Sequence, residues 1–152
     1  MNKLHTGVLA ALLVLSAMTA TLIAKGKTVR LTVAGPGLLS AVEVVSPDAL
    51  TANVYTGNFI GNRTDEPDKM FPRYTVSFYV ETLRNPVRMM YVVGYVRNPR
   101  TGQGFVYLPG RGEEWYRLNV STILRGQEGE WHYADGAWSN AVAAALHQSW
   151  PI

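Results

Sequence analysis

His132, Asp135 and Ser139 have the side-chain types of a hydrolase: an imidazole to act as base, a carboxylate to orient it and a hydroxyl to attack. Their spacing does not carry that chemistry. No strand-to-helix nucleophile elbow surrounds Ser139, and a triad is defined by geometry rather than by separation along the chain. His132 lies between Trp131 and Tyr133 and reads more simply as a half-exposed residue beside aromatics. No catalytic residue is assigned, and an exported hydrolase using His132 and Asp135 stands only as the alternative. A metal site fares no better, because His132 and His147 have no third ligand at a useful spacing and the chain has no cysteine. No cofactor is implied either. Gly35-Pro36-Gly37 lacks both the Lys-Ser/Thr ending of a phosphate loop and the glycine spacing of a dinucleotide site. The acids Asp65, Glu66 and Asp68, and the pair Glu113-Glu114, fall in apparent loops and read as solvated.

Arginine and tyrosine form the more interesting constellation. Arginines concentrate between Arg73 and Arg125, where Glu81, Glu113 and Glu114 are the acids, and no Lys or Arg follows Arg125. If Arg73, Arg88 and Arg97 share one sheet face with Tyr79, Tyr91 and Tyr95, planar guanidiniums beside phenol rings would bind an anionic ligand, such as a polysaccharide or a phospholipid head group. The plainer reading is that arginines at strand ends and turns protect sheet edges from pairing with other chains. Trp115, Trp131, Trp138 and Trp150 offer a carbohydrate-stacking platform, against the plainer expectation that they seal a helix onto a sheet. A formal net charge of +3 is too small to point to nucleic acid.

The elements that must position these residues centre on Arg73 to Leu108. RYTVSFYVE alternates, with Tyr74, Val76, Phe78 and Val80 on one face, as a half-buried strand does. VRMMYVVGYVR is apolar on both faces, as a central strand is. GFVYLP follows a turn in which Pro99 presets the bend and Gly102 supplies the positive φ, so the last two runs form an antiparallel hairpin. Arg84-Asn85-Pro86 marks the earlier turn and completes a meander. TVRLTVA from Thr28 is a further strand, paired across a wide loop with a short one over Ala41–Val45. Ser46-Pro47-Asp48 starts a short helical turn. Asn53–Pro72 reads as a long loop, with one or two helical turns over Val120–Arg125 and an edge strand over Glu130–Tyr133. AWSNAVAAALHQ is the clearest helix, with Trp138, Val142, Ala145 and Leu146 on one side. The expected fold is therefore α+β: a mostly antiparallel, twisted sheet of about five or six strands with the C-terminal helix packed on one face.

Met1–Ala24 has a positive start at Lys3 and no charge from Gly7 to Ala24, which fits an export signal or an N-terminal membrane anchor. Removal is the favoured reading, although cleavage after Ala20 or Ala24 would place Met18 or Leu22 where a small residue belongs. Residues 25–152 then form a single globular domain, with 47% hydrophobic and 16% charged residues across the chain. The function expected is a non-enzymatic domain, periplasmic or extracellular, that binds an anionic ligand or an envelope protein. It would touch the membrane only through the N-terminal segment, if that is retained as the tether of an envelope scaffold.

Overall fold

The computed structural model describes residues 26–54, 56–119 and 127–148. The signal or anchor segment and the helical turns expected over Val120–Arg125 lie outside them. In chain order the elements are β1 (Lys27–Ala34), β2 (Val42–Glu43), α1 (Pro47–Leu50), β3 (Ile60–Thr64), β4 (Arg73–Glu81), β5 (Arg88–Arg97), β6 (Gly104–Tyr107), α2 (Tyr116–Asn119), β7 (Trp131–Ala134) and α3 (Gly136–Gln148). The strands form one seven-stranded sheet in the order β2-β1-β4-β5-β6-β7-β3. Every neighbouring pair is antiparallel. The fold is α+β, with the meander β4-β5-β6 at its centre and α3 packed against the sheet. Gly102 takes φ +76° in the β5–β6 turn, and Asn98 Oδ1 accepts the amides of Arg100 and Thr101 there.

Alternation decides which residues face α3. Leu31, Phe78 and Tyr91 lie in one cross-strand row and Val33, Val76 and Val93 in the next, all at most 1% exposed. Onto these rows α3 lays Trp138, Val142, Ala145 and Leu146. The Trp138 ring stacks on Phe78 at 6.1 Å and lies 5.3 Å from Phe59. Burying side chains of this size contributes about 1.5–3 kcal/mol each. Asp135 caps the helix, its carboxylate accepting the Trp138 amide at 3.1 Å. β5 is buried on both faces, as its sequence indicates, with Val92 and Val96 fully covered on the side away from α3. Where β6 has ended, the Asn119 side chain takes over as its substitute. Its Oδ1 accepts the Val92 amide at 2.9 Å and its Nδ2 donates to the Val92 carbonyl, so neither buried backbone group is left unpaired.

Two expectations are corrected. The stretch Asn53–Pro72 contains a strand, β3, and that strand takes the sheet edge expected for the segment over Glu130–Tyr133, leaving β7 internal. Ile-Gly-Asn-Arg-Thr has no apolar alternation, and Gly61, Asn62 and Arg63 are exposed. It is extended because β7, far along the chain, supplies its hydrogen-bond partner, so tertiary context overrides local propensity. Ser46 precedes α1 in extended conformation without a side-chain cap, although Pro47 does open the turn.

Candidate binding face

The structure disperses the arginine and tyrosine constellation. Tyr91 and Tyr95 point at α3 and are 1% and 0% exposed. Burial pushes both phenols up in pKa, and for Tyr95 the hydrogen bond with Ser139 and the nearby Arg97 only partly offset this. Arg97 shares their face at its rim, where it donates to Asn140 Oδ1 at 3.3 Å and lines a recess with Tyr74, Leu146 and His147. Arg73, opposite Val96, projects from the other face, as does Tyr79, whose ring lies 4.0 Å beneath the Arg30 guanidinium. Arg88 is exposed at the far end of β5 and contacts Met90 Sδ at 3.0 Å. These six side chains thus form no common anion site. The reason is that β5 is apolar on both sides, so its alternation could not say which tyrosines face inward.

The hydrolase set is also engaged elsewhere. The Asp135 carboxylate caps α3. Ser139 Oγ is 2.8 Å from the Tyr95 hydroxyl in the core. His132 is not half-exposed but 4% exposed, with Nδ1 3.2 Å from the Gly61 carbonyl. None of these bonds links base, acid and nucleophile. Among the described residues no cluster of three His, Cys, Asp or Glu side chains is placed to hold a metal ion.

What remains partly open is the β6–β7 part of the sheet face away from α3, beyond the covered Val92 and Val96. There the register aligns Thr75, Gly94, Tyr107 and Trp131 across β4 to β7, with Arg73, Val96, Phe105 and Tyr133 in the adjoining row. Tyr107 and Trp131 lie 5.0 Å apart at a tilt of 38°, and Phe105 and Tyr133 5.6 Å apart. The Arg73 guanidinium sits 5.2 Å from the Trp131 ring and pairs with Glu66 at 2.9 Å. A groove of about 390 Å³ runs along the first row, lined by Thr75, Gly94, Tyr107, Pro109, Glu113, Glu114 and Trp115. Gly94 keeps its floor low, since a Cβ there would come within 3.0 Å of Tyr107 Cβ.

Glu113 ties one wall to the floor. Its carboxylate accepts the Tyr107 hydroxyl at 3.0 Å and the Gly110 amide at 2.5 Å. Burial, and then the Glu113 hydrogen bond and charge, push the Tyr107 phenol up to about 12. The groove therefore offers half-exposed aromatic rings, carboxylates and peptide groups, with no strong nucleophile or base. Of its rings, only the tryptophans stood out in the sequence. The signal for the rest is the outward parity of Phe105 and Tyr107 in β6 and of Trp131 and Tyr133 in β7. Trp138 alone among the described tryptophans seals the helix, as all four were expected to do.

Compared with protein-family models, with curated proteins and with solved structures, the chain finds no match in any of the three.

Proposed function

We propose that this chain is an exported, non-enzymatic binding domain that takes a polyhydroxylated ligand, a glycan strand, on the sheet face that α3 leaves uncovered. The observation that carries this reading is the groove along Thr75, Gly94 and Tyr107, flanked by Trp115 and continued by Trp131. Aromatic faces stack on the apolar faces of sugar rings, and amphipathic rings such as Trp and Tyr present an apolar body with a polar tip. Carboxylates at the rim accept hydroxyl hydrogens. Glu113 and Glu114 line the groove, and the Arg73 guanidinium beside Trp131 is already paired with Glu66, which disfavours an anion there and turns the expected anionic ligand into a neutral one. Glu113 is already held by Tyr107 and Gly110, so it orients the wall rather than waiting for a cation.

Titration of the chain with uncharged gluco- and chito-oligosaccharides, followed by tryptophan emission, tests the proposal. Saturable binding is expected, weakened about three- to tenfold by either Trp115→Ala or Trp131→Ala, the range given by one lost aromatic contact. Binding that both variants leave unchanged would remove the groove from the account.

A further inference from the structure

A second surface lies at the end of the sheet where β1 begins. Lys27 is in register with Glu81, so the start of β1 adjoins the turn from Thr82 to Val87. Gly26 packs so tightly there that a Cβ would come within 2.6 Å of the Glu81 carbonyl oxygen and 2.8 Å of Thr82 Cγ2. That turn exposes two apolar side chains, Leu83 at 74% and Val87 at 48%. Arg84 and Arg88 flank them, both exposed; beside them Lys27 and its cross-strand neighbour Glu81 are also exposed, leaving the two arginines as the net charge of the turn. The turn is held in shape, because the Asn85 amide donates to Thr82 Oγ1 at 3.0 Å.

The uncharged run ends at Ala24, two residues before Gly26 and so at most about 7 Å of chain away. Its length, from Gly7, is near what a bilayer core requires, and at each candidate cleavage position the Ala that ends it comes two residues after a large one, Met18 or Leu22, where removal favours a second small one. Exposed apolar residues interleaved with cations suit a bilayer interface, where side chains such as Leu and Val enter the head-group layer and Arg and Lys meet lipid phosphate. Leu39 and Met70 are also exposed, but they lie at the opposite end of the sheet, the length of β4 away.

We propose that residues 7–24 are retained as a membrane tether and that the Thr82–Arg88 turn rests on an anionic bilayer, with Leu83 and Val87 in the interfacial layer. The proposal rests on the anchor reading of the N-terminal segment and is independent of what the groove binds.

Because the chain has no cysteine, a single labelling site can be introduced at will. The full chain, expressed with its N-terminal segment and recovered from membranes, is first weighed intact. It is then reconstituted into phosphatidylcholine vesicles with and without phosphatidylglycerol, as Leu83→Cys, Val87→Cys, Leu39→Cys or Met70→Cys, each carrying a polarity-sensitive nitrobenzoxadiazole label. The mass should include the N-terminal segment. Labels at positions 83 and 87 should shift to the blue in the anionic vesicles and be quenched by spin-labelled lipid, while those at 39 and 70 stay as in water. Arg84→Glu with Arg88→Glu should reverse the shift at 83. A mature mass lacking the first 20 to 24 residues would overturn the tether. A retained segment with all four labels alike would overturn the docking.

Discussion

Tyr107 shows how one residue can join sheet, loop and groove. Its hydroxyl donates to Glu113, its ring lies against Trp131, and its neutral form is favoured because burial and the adjacent carboxylate oppose a phenolate. The folded phenol titrates at about 12 against 10.0 for the free group, so the folded state holds the proton longer. Its stabilising contribution is complete below the unfolded value and is lost as pH rises from about 10 through about 12. Urea midpoints of the parent and Tyr107→Phe, taken near pH 9 and near pH 11, should show the parent's advantage shrinking at the higher pH. The other raised tyrosines, Tyr74, Tyr91 and Tyr95, remain in both proteins and cancel in the comparison. An advantage that is the same at both pH values would mean that burial and the Glu113 contact do not hold the proton. At this scale the sequence was a poor guide to partners. Tyr91, Tyr95 and Tyr107 are the same residue type on neighbouring strands, and only the register separates two core rings from one in a groove.

Glycines in two strands separate the roles of the elements. Gly104 in β6 lies under α3, where a Cβ would overlap the Ser139 side chain and come within 3.0 Å of Ala134 Cβ. Gly61 in the edge strand β3 has Tyr133 as its nearest neighbour, at 3.6 Å. Gly104→Ala should therefore cost about 1–3 kcal/mol through overpacking, whereas Gly61→Ala should be close to neutral, both read from urea denaturation. Equal costs would show that α3 does not press on β6 as described. The meander and α3 were legible because each advertises its own period: β4 alternates strictly, and α3 spaces its apolar residues by three and four. β3 advertises nothing. Gly-Asn-Arg resembles a turn, and it is extended only because β7 offers it a ladder. Missing β3 also misplaced β7, since an internal strand was read as an edge.

Across the whole molecule the two faces of the sheet have different tasks. One is closed by α3 and a continuous apolar core, with Trp138 fully buried. The other, covered only in part where Asn119 meets β5, keeps rings at its surface beside a groove that is available for binding. Composition pointed to a packed globular domain and the pattern of its runs to α+β, but neither could place the groove. Its floor is Gly94, a residue read only as part of an apolar run, and its walls come from the loop around Glu113 and Trp115, whose position depends on where β6 ends. The most direct measurement of the binding face is a two-dimensional ¹⁵N spectrum of the indole N–H groups, recorded with and without a chito-oligosaccharide and assigned by single tryptophan replacement. The signals of Trp115 and Trp131 should move with saturation while that of Trp138, behind the sheet under α3, stays in place. Movement of the Trp138 signal with Trp115 and Trp131 unmoved would put the ligand on the helix side and contradict the account.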